Sequence, residues 1–293
     1  MNFKKISLFV LLSLSVQSVS SLNVKFNLPG PAFDVPNASP TVAGAMGVFL
    51  INNIGYQCAV TAQYLYFSRE ARLQESNPTI NHDVIKALKK MCFDKKGVKI
   101  DRVYYGPQSP TVGIRGGAAV VKSPFGNLLI LGSGYGASKN EKDILPITPE
   151  QVEFVMGHEC NHVLTNDVNK RFLLDSAIST GIVMSNSVYN QEMAMAFSLY
   201  KMFGYSRFIR NQEFECDYSS SNDPKVIQAG IDLWQGLADK EQYLDIFTRI
   251  NTKIQHAIFS THPSFSKRLD YLKLRLKELE QKSTKETQAV PAA

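Results

Sequence analysis

His158-Glu159-Cys160-Asn161-His162 is the stretch around which the 293-residue chain reads. It has the pattern HExxH and sits inside a run of good helix formers. Residues four apart on a helix share one face about a turn apart, so His158 and His162 can grip one metal ion. Glu159 projects from the same side, within reach of a water that the ion acidifies. Two imidazoles, a divalent ion and a carboxylate that takes a proton are the parts of zinc-assisted hydrolysis. The chain holds only five histidines, so a chance match to this spacing is rare. Cys160 lies about 200° round the helix from His158, away from the metal, and is expected to be a buried core thiol.

Upstream of the motif, Thr148-Pro149-Glu150-Gln151 marks the helix start. Thr148 is the N-cap, Pro149 takes the first helical position, and Gln151 closes a capping box. Asn166-Asp167-Val168-Asn169 marks its end. Before it come three β-prone stretches, Val98–Tyr105, Thr111–Lys122 and Asn127–Leu131, separated by proline and glycine. They predict a small antiparallel sheet or meander beside the motif helix. Gly132-Ser133-Gly134-Tyr135-Gly136 reads as a turn. It lacks a Walker lysine, and Ala137 stands where GxGxxG needs its last glycine.

Further out, Thr41–Leu73 and Asn81–Cys92 read as helices, the second stopped by Asp94-Lys95-Lys96-Gly97. The apolar Val42–Ile54 stretch is too short to span a membrane and contains Asn52 and Asn53, so it reads as a buried helix. Phe172–Phe203 is apolar but interrupted by Asp175, Asn186, Asn190 and Glu192, which predicts two packed helices, a membrane-associated hairpin being the alternative. Helices are expected at Phe208–Tyr218, Pro224–Leu237, Lys240–Phe259 and Phe265–Lys282. The polar stretch 283–293 is expected to be disordered. The fold class is therefore α+β, predominantly helical, with one domain over 41–282.

The amino-terminal end carries Lys4 and Lys5, then an apolar run from Ile6 to Val16, then Val19-Ser20-Ser21. This reads as a secretory signal peptide over 1–21, because the apolar run is too short to span a bilayer. Residues 22–40 hold Pro29, Pro31, Pro36 and Pro40 and form an extended segment. The expected location is extracytoplasmic, periplasmic or secreted. Loss of Lys4 and Lys5 lowers the formal net charge from +6 by two, which leaves a mildly basic protein without a basic cluster. Peripheral contact with an anionic membrane is compatible with that charge, and nothing points to nucleic acid. Four cysteines, Cys58, Cys92, Cys160 and Cys216, permit three pairings, of which Cys58–Cys92 is the expected bridge between the two early helices.

A catalytic zinc needs a third protein ligand. Thr165 and Val168 exclude the extended HExxHxxGxxH arrangement, so the ligand comes from another helix. An acid with a second acid four residues on, able to support a ligand histidine, occurs at Glu213 with Asp217 and at Glu241 with Asp245. These residue types leave both open.

Arg210-Asn211-Gln212-Glu213-Phe214-Glu215-Cys216-Asp217 resembles the SRxxE[YF]xAD segment of the M48 peptidases, the group that includes HtpX and the CAAX prenyl proteases. Gly116-Gly117 in the strand region and Thr261-His262-Pro263 followed by Arg268-Leu269 are similar to further segments of that family. The resemblance spans about residues 40–282. It implies a gluzincin-type zinc endopeptidase of the soluble secreted or periplasmic branch, with one Zn2+ per chain held by His158, His162 and Glu213. It further implies that Asp217 supports a ligand histidine, that His262 stabilises the oxyanion, and that Gly116 and Gly117 lie where an edge strand near Ile114–Val121 takes an extended polypeptide substrate. Ile209 and Cys216 depart from the family's serine and alanine. A latent peptidase covered by residues 22–40, or an envelope chaperone or assembly factor with a structural zinc, are the rival readings. The intact Glu159 argues against a structural ion, which has no use for a base.

Overall fold

A computed structural model of the chain describes residues 40–106, 117–139, 147–188, 191–242 and 263–288. The motif helix, α3 (Pro149–Leu164), starts as its sequence dictates. The Thr148 hydroxyl accepts the Gln151 N–H at 3.2 Å, and the Gln151 side chain accepts the Thr148 N–H at 3.1 Å. It ends where Asn166 turns the chain with φ 56°, the one non-glycine positive φ among the described residues. Asparagine tolerates that conformation, so α4 (Asp167–Val188) can begin at once in a new direction.

Three strands precede α3: β1 (Arg102–Tyr105), β2 (Ala118–Ser123) and β3 (Gly126–Leu131), in the order β1-β3-β2. β2 and β3 form an antiparallel hairpin, but β1 pairs parallel to β3. The sheet is therefore mixed, not antiparallel as its sequence suggested. Leu128–Leu131 are fully buried on both faces, so β3 must be central. The short turn ties β2 to one side of it, and β1 is left the other.

Each face of the sheet packs on helices. Leu128 and Ile130 meet Tyr64 and Phe67 of α1 (Pro40–Gln74). Leu129, Leu131 and Val120 join the main core with Phe154 and Cys160 of α3. That core also takes Leu88 and Cys92 of α2 (His82–Lys96), Ile227 of α7 (Pro224–Gln242) and Leu272 of α8 (Phe265–Gln288). α2 is capped by Asn81 and stopped by Gly97, whose φ of 66° suits glycine.

All four cysteines are free. Cys58 is exposed on α1, whereas Cys92 is buried and hydrogen-bonds Cys160, so the expected Cys58–Cys92 bridge is not formed. Cys160 is fully buried in the core. The stretch 172–203 forms two helices, α4 and α5 (Gln191–Tyr200), with Tyr56 of α1 stacked on Phe172. A π-turn at Lys201–Tyr205 then leads into α6 (Ser206–Tyr218). Among the described residues no helix is long and apolar enough to cross a membrane. α7 runs past its expected end to Gln242, and α8 continues beyond Lys282 to Gln288. The expectations for the signal peptide, the 22–39 segment, the helix beyond Gln242, His262 and Gly116 fall outside the described residues.

Candidate metal centre

On α6 the buried positions are Ser206, Ile209, Gln212, Glu213, Cys216 and Asp217, and the last five form a helical stripe that faces α3. Five of those six side chains carry polar or sulfur atoms, an unusual content for a buried face. Close approach is possible because Gly157, next to His158, has no Cβ; one placed there would collide with the Ser220 carbonyl at the end of α6.

The stripe brings Glu213 onto the two histidines. The Nε2 atoms of His158 and His162 are 3.1 Å apart. Glu213 Oε2 is 3.6 Å from His158 Nε2, and its Oε1 is 3.5 Å from His162 Nε2. Tetrahedral zinc with bonds of 2.0–2.1 Å holds its donors about 3.3 Å apart, so the three side chains fit such an ion. Two imidazoles and one carboxylate are also the donor types it takes.

Each imidazole is oriented through its other nitrogen. His158 Nδ1 is 2.9 Å from Asp217 Oδ1. Asp217 is fully buried and receives two bonds of 2.6 Å from the Arg268 guanidinium, which also stacks 3.8 Å over the Trp234 ring. Burial disfavours the Asp217 carboxylate, but the Arg268 charge and the His158 hydrogen bond outweigh it and hold the group below its ordinary range. Burial likewise pulls His158 down, yet hydrogen bonds to Asp217 and Glu213 and the Asp217 charge prevail and push it up to about 9. His162 Nδ1 is 3.0 Å from Asp167 Oδ2, and Cys216 Sγ is 3.2 Å from the same nitrogen. Both rings thus have a carboxylate to fix Nδ1–H and leave Nε2 as the atom that could bind a metal.

Glu213 has its own support. Arg171 of α4 donates from Nη2 to Glu213 Oε1 at 2.9 Å and from Nε to Gln212 Oε1 at 2.6 Å. Gln212 Nε2 donates to Asp167 Oδ1 at 3.0 Å.

Glu159, half-buried, faces β2: its Oε2 accepts the Val120 N–H at 3.1 Å. β2 is an edge strand, and alternate residues turn their backbone groups away from β3. Gly117 is of the other parity, with its carbonyl accepting the Gly132 N–H inside the sheet. Lys122 reaches across from β2 to the Val163 carbonyl of α3.

The structure therefore gathers His158, Glu159, His162, Glu213 and Asp217 at one place. Sequence reasoning missed Asp167, which it took as a helix stop, and gave Gln212 and Arg171 no role. An acid five residues past the second histidine was the available signal for Asp167. Arg268 belongs to a segment similar to the family's, but nothing in that segment points to Asp217 as its partner.

Such a centre belongs to the class of metallopeptidases built on an HExxH helix. The profile of peptidase family M48 matches residues 128–276, half of the chain from β3 into α8, and the chain belongs to that family. No curated protein and no solved structure matches it. The chain is thus a peptidase, a hydrolase of predominantly helical α+β fold.

Proposed function

We propose that this chain is a zinc-dependent endopeptidase that cleaves extracytoplasmic polypeptides, with one zinc held by His158, His162 and Glu213. The observation that carries the reading is the set of three donors 3.1–3.6 Å apart, with Glu159, next to His158 in the chain, bonded to a sheet edge. Zinc, when bound, supplies Lewis acidity to a water and to the substrate carbonyl. Glu159 takes the proton of the attacking water and returns it to the leaving amine. β2 offers its outward N–H and C=O groups to an extended substrate. A substrate carbonyl on Val120 would compete for the N–H that Glu159 holds, which frees the carboxylate as the substrate arrives. Asp217 and Asp167 keep the two imidazoles in register, and His262 is assigned to the oxyanion.

Cleavage of unfolded casein by the purified chain, beside Glu159→Gln, tests this. Wild-type cleavage, lost with a chelator and reduced roughly 100-fold or more in the variant, is expected, since removing a general base has effects of about that size. Zinc retained without cleavage in the wild type would favour the latent or chaperone reading instead.

A further inference from the structure

Glu213 and His162 come from different helices, yet a continuous run of side-chain bonds joins their supports. It passes from Glu213 Oε1 to Arg171, from Arg171 Nε to the Gln212 carbonyl, and from the Gln212 amide to Asp167 Oδ1, whose other oxygen meets His162 Nδ1. Asp167 and Arg171 are one turn apart on α4, and Gln212 and Glu213 adjoin on α6. Asp167, Gln212 and Glu213 are 2%, 5% and 2% exposed, so the run is buried except at the partly exposed Arg171 and His162.

Arg171 is the unexpected member. A guanidinium 2.9 Å from a ligand oxygen repels a divalent cation placed nearby, so electrostatics alone would put a neutral group there. Its fork does what a neutral donor of one bond cannot: it engages the ligand carboxylate and the neighbouring amide at once. The bond to Oε1 occupies one lone pair of that oxygen and fixes the plane of the carboxylate, whose two oxygens lie 3.5 and 3.6 Å from the histidine Nε2 atoms. Gln212 then transmits the same geometry to Asp167, because its amide has one accepting and one donating end, and both are used.

We propose that Arg171 and Gln212 are positioning residues that set Glu213 and His162 in a common frame for zinc, so that the two act as one unit. This rests on the zinc reading above. The test is zinc affinity, measured by competition with a chromophoric chelator, together with thermal unfolding of the metal-free chain. Wild type, Arg171→Met, Gln212→Leu, the double variant and Arg171→Lys are compared. Expected are a zinc affinity about 10- to 100-fold weaker in each single neutral variant, the size typical for residues behind a ligand. The double variant is expected to be no weaker than the worse single, because one broken link uncouples the run. Arg171→Lys, with a charge but no fork, should recover only part of the loss and decides the matter should Arg171→Met fail to fold. Metal-free unfolding temperatures are expected to fall in both single variants, since each leaves a buried partner unpaired. The fall is not in proportion to the loss of zinc affinity, which is read well below the midpoint. Wild type that binds zinc, with both single variants within twofold of it or with Arg171→Met tighter, overturns the proposal while the zinc reading stands. A metal-free unfolding temperature that falls in step with zinc affinity overturns it in the same way. Wild type that binds no zinc overturns both.

Discussion

His158 carries two demands at once. Under the proposed function it presents a bare Nε2 to zinc, yet Asp217 and Glu213 around it favour the imidazolium, which lifts its pKa to about 9 in the metal-free chain. An unfolded histidine titrates near 6.5. Because the folded value is the higher one, the stabilisation from this proton is complete below pH 6.5 and disappears as pH rises through about 9. The unfolding temperature of the chelator-treated chain is therefore expected to fall between those limits, and His158→Gln should flatten the slope. A flat wild-type curve would sink the idea. Asp217 and Asp167 have lowered values, so their contributions are lost only in acid, below the ordinary carboxylate range, and leave this window clear. At this scale the sequence was readable wherever neighbours are local. His158, Glu159 and His162 share one helix face by spacing alone. Arg171 was not readable, because its partner Glu213 lies 42 residues away on another helix.

Elements show the same division. The start of α3 was legible because Thr148, Pro149 and Gln151 act within one turn, and the cap they make is the one observed. The parallel pairing of β1 was not, because which strand is its neighbour is settled by β3 being buried in the middle, a property of the assembled sheet. Nor was the contact between Cys92 and Cys160, which depends on how α2 lies against α3. The approach of α3 to the α6–α7 turn hinges on Gly157, where a methyl group would strike the Ser220 carbonyl, a backbone atom that cannot swing aside. Gly157→Ala is expected to destabilise the chain by roughly 1–3 kcal/mol, the usual cost of overpacking. It should also weaken zinc binding, since His158 is the next residue. Urea unfolding of the metal-free variant measures the first effect, and an unchanged midpoint would show that the two segments can part without cost.

Across the whole molecule, the centre is assembled from α3, α4, α6 and α8. Its two histidines stand on one helix and Glu213 on another, with no disulfide among the described residues to join them. A metal that binds only the folded arrangement stabilises it by mass action, by about 2.7 kcal/mol when free metal is 100 times its dissociation constant. Chelation is accordingly expected to lower the unfolding temperature of the wild type, and equally that of Glu159→Gln, whose three donors are intact. No shift on chelation would mean that the ion contributes nothing to the fold. The last described helix adds one more consequence. Arg268 neutralises the buried Asp217 that in turn holds His158, so this cluster is incomplete until α8 has docked. During synthesis the motif helix emerges more than a hundred residues before the arginine that readies it. Under the proposed function, the cluster on the motif helix would therefore reach its supported form only late in synthesis, once α8 has been made and has packed.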